Sequence, residues 1–403
     1  MEAEIEFIPE GTVTSPKGFK AGATFAGIKK KAKYNLDLGI LLSQAPCVTV
    51  GLFTSNRIKA APVVLCQKRL PSKTTRVVVV NSGCANAGTG EQGFCDAVGM
   101  ADLAAERLGV SPDNVLVAST GVIGQRLPME LIRDGIKRIT LSADGGHALA
   151  KAMMTTDTVL KEVAVRVMGN KFIVGGVAKG SGMIHPQLGT LLCFLTTDAK
   201  VDIDFLASAL KKAVDISFNM VSIDGDTSPN DTVLLIANGL VGNKIIRRKT
   251  RQAVAFQQAL NHTCIYLAKA IARDGEGASK LIAVTVTGAS STGEARSAAR
   301  TVVSSPLVKA AVHGSDPNWG RIIAALGRSG AEVVESKVDL YISGICLVEG
   351  GVPLPFNQEK VVAVLASGEV SIDLNLNLGR AMATAWGCDL SEEYVTINSE
   401  YAT

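Results

Sequence analysis

Residues 178–199, AKGSGMIHPQLGTLLCFLTTDA, run from a Gly-Ser-Gly turn through a His-Pro step to Gly189-Thr190 and then into the apolar run 191–195. A loop that feeds directly into a buried strand suits attack within the chain. Gly189 permits backbone conformations closed to other residues. A strained peptide bond before a hydroxyl residue is open to attack by that hydroxyl on the preceding carbonyl. Cleavage there would leave Thr190 as a new N-terminus, with an α-amine of pKa about 7.7 to 8.0 beside its own hydroxyl. One residue would then supply both nucleophile and general base. On spacing alone, the same residues also read as an ordinary turn and strand start.

Around this stretch, short β-branched runs alternate with Ala-rich amphipathic segments. Strands are expected at 76–81, 114–118, 162–167, 172–177 and 280–287, and helices at 94–108, 147–154, 203–214 and 295–303. In 371–378, Ile372, Leu374, Leu376 and Leu378 alternate with Asp373, Asn375 and Asn377, the pattern of an antiparallel or edge strand with one wet face. The grammar is α/β. No repeat of fixed period and no Pro-rich or Ser-rich linker divides the chain.

Composition bounds the function classes. With 403 residues, 47% hydrophobic, 19% charged, 40 Gly and only 4% aromatic, the chain can bury a large interior of tightly packed α/β layers. The 41 basic and 37 acidic residues are scattered, and the clusters at 29–31 and 247–249 interleave no aromatics, which argues against nucleic acid as a partner. No uncharged run approaches a membrane span. The start, with Glu2, Glu4 and Glu10, has no basic-then-apolar leader. A cytoplasmic protein is expected, or an organellar one after removal of a transit peptide. The eight cysteines form no C-x-x-C pair and suit structural thiols in a reducing compartment. His147, His185, His262 and His313 have no spacing for a metal or a Ser-His-Asp triad, so no metal site is expected.

The stretch 178–199 resembles the processing site of the ornithine acetyltransferase family, also called bifunctional glutamate N-acetyltransferase (ArgJ). Further family-like segments are FTSNR (53–57), NSGCANAG (81–88), STGVIG (119–124), TTDT (155–158), SIDGD (222–226), RDGEG (273–277), DPNWGR (316–321) and the tail 394–403. The match spans nearly the whole chain. One position departs: the family usually carries Ala before the nucleophile, where this chain has Gly189.

The resemblance implies an α/β fold, a layered αββα sandwich of the autoprocessing DmpA/ArgJ-like type, with a smaller C-terminal α/β unit near 290–390. It implies an α chain 1–189 and a β chain 190–403 that share one core, assembled as an α2β2 heterotetramer. Thr190 corresponds to the nucleophile, and Thr120 with Gly121 to the oxyanion hole. Such donors are worth about 3 to 4 kcal/mol each to a developing oxyanion. Lys179 and Glu276 correspond to substrate-binding residues, suited to the α-carboxylate and the distal ammonium of an ornithine moiety. Thr155 or Thr156 corresponds to a substrate threonine. Asn398 and Thr403 also match binding positions, which requires the C-terminal tail to fold back.

The activity implied is a ping-pong transfer of acetyl from N2-acetyl-L-ornithine to L-glutamate. No phosphate loop, dinucleotide fingerprint or [QR]-x-x-G-x-[GA] acetyl-coenzyme A loop is present, so no cofactor is required. Acetyl-coenzyme A stays open as an alternative donor, which would make the protein an amino-acid N-acetyltransferase as well. Two other readings are an autoprocessing aminopeptidase or amidohydrolase and a non-enzymatic two-chain scaffold.

Overall fold

The computed structural model describes residues 4–29, 36–169, 172–185 and 191–400. Gly189, Thr190 and Thr403 lie outside the described residues. The first sheet is built from β1 (Ile5–Phe7), β2 (Phe19–Thr24), β3 (Leu38–Phe53), β4 (Ser72–Cys84), β5 (Val115–Val122), β6 (Lys161–Val167), β7 (Phe172–Lys179) and β8 (Leu192–Thr197). After β9 (Val221–Ser222), which joins the second sheet, β10 (Thr232–Ala237) completes it. The order is β1-β6-β7-β8-β10-β3-β4-β5, with β2 also on β3; β8–β10 and β4–β5 are parallel and the other pairs antiparallel. Strands β8 and β10, which follow residue 190, thus lie between β7 and β3, which precede 189. Neither part of the chain can complete this sheet alone.

Side-chain alternation explains why β8 reads as a continuous apolar run. Leu192 and Phe194 enter one core cluster and Cys193 and Leu195 the other, so both faces are covered. The 16-residue strand β3 changes register between Leu42, Cys47 and Thr49, pairing its first part with β4 and its last part with β10. Val77–Val80 of β4 and Val115–Ala118 of β5 share a core with Leu192, Phe194, Leu234 and Ile236, and contacts described below join the end of β5 to the ends of β7 and β10. Strands so far apart in the order meet only because the sheet folds over on itself, which gives two β layers.

Helices α1 (Ala61–Arg69), α2 (Gly90–Leu108), α3 (Met129–Arg138) and α4 (Gly146–Met153) pack with the β4–β5 side. Helices α5 (Ile203–Asp215) and α6 (Arg251–Arg273) cover the other. The result is the layered α/β class expected from the sequence. Helix α6 opens on Thr250, whose side chain accepts from Ala253 N, and buries Phe256, Leu260, Cys264, Leu267 and Ile271 along one stripe. It touches β6 and β7 and also β16 of the second sheet, coupling the two.

That second sheet contains β9, β11 (Leu281–Ala289), β12 (Asp339–Ile342), β13 (Ile345–Glu349), β14 (Val352–Pro353), β15 (Glu369–Asn375) and β16 (Ala381–Cys388), in the order β14-β13-β12-β15-β11-β16-β9. Around it lie α7 (Thr292–Val303), α8 (Pro306–His313), α9 (Trp319–Gly327) and α10 (Gln358–Leu365), and α11 (Glu392–Glu400) follows. The alternating segment 371–378 falls on β15, which is interior rather than at an edge. It is antiparallel to β12 and parallel to β11, and Val370, Ile372 and Leu374 are buried while the intervening residues are half exposed. The one wet face read from the sequence is present.

Candidate active site

The end of β5 supplies Ser119-Thr120-Gly121. Ser119 Oγ donates to Asn81 Oδ1 at 2.6 Å, and Asn230 Nδ2 donates to the carbonyls of Ser119 and Ala85, both at 2.7 Å. Gly121 has φ +126°, and a Cβ there would lie 2.4 Å from the Gly83 carbonyl carbon, so no other residue fits this turn. Thr120 is buried beside it.

Facing this turn is Lys179. The sequence suggests a loop lysine, but it is the last residue of β7 and only 3% exposed. Its Nζ donates to Thr155 Oγ1 at 2.7 Å and Thr120 Oγ1 at 3.3 Å. Among the described residues no carboxylate pairs with it. Burial pulls its pKa below the ordinary lysine value, Asp157 resists, and Lys161 adds to the fall. A neighbouring lysine behaves oppositely. Lys161, fully buried, contacts Asp157 Oδ1 at 2.7 Å and also Asp274 Oδ2. Burial would lower it, but the two carboxylates more than compensate and hold it above the ordinary value. Burial would likewise raise Asp157, yet Lys161, Lys179 and the Gly180 N–H keep it well below the usual carboxylate range. The Asp157–Lys161–Asp274 unit is a satisfied brace; among the described residues Lys179 is buried without an ion pair of its own.

The Gly-Ser-Gly turn connects the remaining residues. Thr156 Oγ1 shares a 2.6 Å hydrogen bond with Ser181 Oγ, so Thr155 meets the lysine and Thr156 meets the turn. Glu276 donates its N–H to Ser181 O at 2.8 Å, and its carboxylate lies against Gly182, where a Cβ would fall 2.4 Å from Oε2. Rather than a surface-loop charge, Glu276 is 9% exposed. Asn398 on α11 donates Nδ2 to Glu276 Oε2 at 2.8 Å, so the C-terminal segment does fold back. Lys179, Thr120, Gly121, Thr155, Thr156, Glu276 and Asn398 therefore lie in one contiguous network.

The described residues that flank 186–190 are held. Upstream, Asp224 accepts from the Met183 and Ile184 N–H groups, and Ile184 O accepts from Ile223 N at 2.8 Å. Downstream, Asp231 Oδ1 accepts from Leu191 N at 2.8 Å, while its buried Oδ2 has no partner among the described residues. Burial pushes the Asp231 carboxyl well above the ordinary carboxylate range. Sequence reasoning missed Asp231, Asn230, Lys161 and Lys29. The last, near Gly83, is pulled down to about 8 by burial, with Asp37 resisting and Lys179 adding repulsion. The only sequence signal for them was their place in or beside polar clusters such as SPND (228–231).

Three of the four histidines have side-chain partners: His147 Nδ1 with Glu162, His313 Nδ1 with Asp389 at 2.8 Å, and His185 Nδ1 with Ser222 Oγ at 3.1 Å, while His262 meets the Phe7 ring. All eight cysteines are free. Among the described residues no helix is long and apolar enough to cross a membrane.

A sequence model of the ArgJ family matches residues 20–403. The arginine biosynthesis bifunctional protein ArgJ of Dehalococcoides mccartyi is 52% identical over 405 aligned positions, covering 100% of both chains. That of Symbiobacterium thermophilum is 50% identical, covering 98% of this chain and 99% of its own. Among solved structures, the arginine biosynthesis bifunctional protein ArgJ of Bacillus halodurans is 44% identical with a TM-score of 0.51, over 52% of this chain and 98% of the solved one.

Proposed function

The chain belongs to the ArgJ family, and from that premise we propose that it is a self-cleaving acetyltransferase of arginine biosynthesis. In this reading the Thr190 hydroxyl attacks the Gly189 carbonyl, the peptide nitrogen leaves with the proton as the free Thr190 α-amine, and water hydrolyses the resulting ester to release the Gly189 carboxylate and the Thr190 hydroxyl. That amine then takes the hydroxyl proton as Thr190 attacks the acetyl carbonyl of N2-acetyl-L-ornithine. Ornithine leaves with the proton on its α-amine, and the amine of L-glutamate attacks the acetyl-threonine to give N-acetyl-L-glutamate. Thr120 and Gly121 serve the oxyanion in both stages. Asp231 fixes Leu191 N, the atom bonded to the Thr190 carbonyl carbon, and so positions the nucleophile.

The observation that carries the reading is Lys179, buried with no carboxylate paired to it among the described residues, beside the proposed oxyanion turn. A site that leaves a cation so exposed to burial is built for an anionic partner, here the substrate α-carboxylate, with Thr155 alongside. Glu276, positioned by Asn398, suits the distal ammonium; Thr156 is read as supporting the turn. A division into 1–189 and 190–403 is supported by the Bacillus halodurans match, whose solved chain is spanned almost fully by 52% of this one. A chain of 403 − 189 = 214 residues is about 53% of 403. An α2β2 assembly and acetyl-coenzyme A as a second donor belong to the same proposal.

The test is the intact mass of the denatured protein beside a Thr190→Ala variant. Two fragments in the parent, one chain in the variant and Thr190 as the new N-terminus are expected; an uncut parent would sink the reading. Released acetate without glutamate would favour a hydrolase instead.

A further inference from the structure

Self-cleavage and acetyl transfer differ in where the hydroxyl proton can go. In transfer the free α-amine of Thr190 takes it, but before scission that nitrogen belongs to the Gly189-Thr190 peptide bond and has no basic lone pair. The first step therefore needs another group to carry the proton from the Thr190 hydroxyl to the departing nitrogen.

The carboxylates described in the candidate site differ in what their oxygens do. Asp224 accepts from the Met183 and Ile184 N–H groups, Asp157 from Lys161 and the Gly180 N–H, and Glu276 Oε2 from Asn398. Asp231 is fully buried and accepts at Oδ1 from Leu191 N at 2.8 Å. Its Oδ2 is also buried and has no partner among the described residues. The neighbouring Thr54 hydroxyl does not fill that gap, because it gives its proton to Ser228 O at 2.6 Å. An acceptor left this way costs a fold about 1 to 3 kcal/mol, so its retention asks for a use beyond packing.

Chain connectivity relates this carboxyl to the bond to be cut. Leu191 N, held by Oδ1, is bonded to the Thr190 carbonyl carbon, and the Thr190 nitrogen and side chain both branch from the next atom, Cα. The loop that carries the carboxyl is fixed on every side. Thr54 N donates to Asp231 O and Thr232 N to Leu191 O, both at 3.0 Å, and Asn230 holds the carbonyls of Ser119 and Ala85. One short segment thus sets the acid, the first residues of β8 and the proposed oxyanion turn relative to one another. Burial is the largest influence on Asp231 and favours its protonated form; the Leu191 N–H, Thr54 beyond the end of β3 and the charge of Lys179 at the end of β7 oppose it.

We propose that Asp231 is the proton carrier of self-cleavage, an assignment that rests on the autoprocessing reading above. As the Thr190 oxygen bonds to the Gly189 carbonyl carbon and the C–N bond breaks, the carboxyl gives its proton to the departing nitrogen and takes the one released by the hydroxyl. The acid ends as it began. The α-amine freed in this way is the base for acetyl transfer, so the two stages use different proton carriers around one nucleophile.

The experiment is cell-free synthesis of the whole chain, with intact mass followed against time at a series of pH values, for the parent, Asp231→Asn and Lys29→Met. Asparagine keeps an oxygen for Leu191 N, so a residue that only positions the chain would allow near-parental cleavage; a proton carrier predicts a rate at least about a hundredfold lower. The parent rate should fall at alkaline pH as the carboxyl ionises. The residual rate of Asp231→Asn should lack that fall, and Lys29→Met, which removes a group that titrates near 8, should keep it. Native circular dichroism and a cooperative urea transition would show that Asp231→Asn is folded; if it is not, the pH profile of the parent decides alone. Similar rates in parent and Asp231→Asn, or a parent rate that stays flat or rises at alkaline pH, would overturn the proposal. So would an Asp231→Asn chain that stays whole in water but is split by hydroxylamine, because an ester would then have formed without the carboxyl. A parent that never divides would instead sink the autoprocessing reading itself.

Discussion

Two buried lysines, Lys161 and Lys179, make opposite demands on the protein. Removing the charge of Lys161 strands Asp157 and Asp274, so Lys161→Met should cost about 3 to 5 kcal/mol in urea unfolding. Lys179 forms no ion pair among the described residues, and Asp157 keeps its contact with Lys161 when Lys179 is lost; Lys179→Met should therefore cost clearly less stability than Lys161→Met while lowering kcat/KM for acetylornithine by roughly a hundredfold or more. Comparable stability losses in the two variants would argue against Lys179 as an anion receptor. Lys29 gives a pH-dependent test. Burial draws its folded pKa to about 8, against about 10.4 when unfolded, so the cost of its charge is fully present below pH 8 and is relieved as the pH rises towards 10.4. Lys29→Met should therefore be more stable than the parent at pH 7 by roughly 1 to 3 kcal/mol, and the gap should close by about pH 10. Thr120, Lys179 and Glu276 could be picked out because each sits in a contiguous family-like motif. Asp231, Asn230 and Lys161 could not, because their roles come from contacts such as Asn230 to Ser119 and Lys161 to Asp274, more than a hundred residues away in the chain.

At the scale of elements, the turn after β5 and helix α11 can each be tested alone. Asn230→Ala removes two buried hydrogen bonds that tie the turn to the loop before β10, and should cost about 2 to 3 kcal/mol and slow self-cleavage, followed by mass against time. Asn398→Ala should leave cleavage intact and raise KM for acetylornithine several-fold, since it frees the Glu276 carboxylate and otherwise loses only a bond within α11, to Tyr394 O. Cleavage lost together with binding would mean that α11 supports the fold rather than the substrate. The strands and helices named from the sequence were legible because alternation of period 2 and stripes of period 3.6 are local signals. The interior place of β15 was not, since one wet face occurs on interior strands wherever helices cover a single side. The 16-residue β3 and the 23-residue α6 were not among the expected elements. Both earn their length by bridging layers, which composition within a window does not report.

Across the whole molecule, the strands on either side of residue 190 interleave in one sheet. After cleavage the two pieces should co-elute under native conditions and separate only in denaturant, in one cooperative transition. Lys179, at the end of β7, is paired with Leu192, at the start of β8, so the proposed scission opens a short link between neighbouring strand ends and leaves their hydrogen-bonded ladder untouched. The continuity of the backbone at that point is then dispensable to the native state. Two separately translated polypeptides, 1–189 and 190–403 beginning with a free threonine, should find each other and regain activity by complementation. Their recovery would be second order in concentration, and a Gly189 substitution that blocks scission in the single chain should have no effect on it.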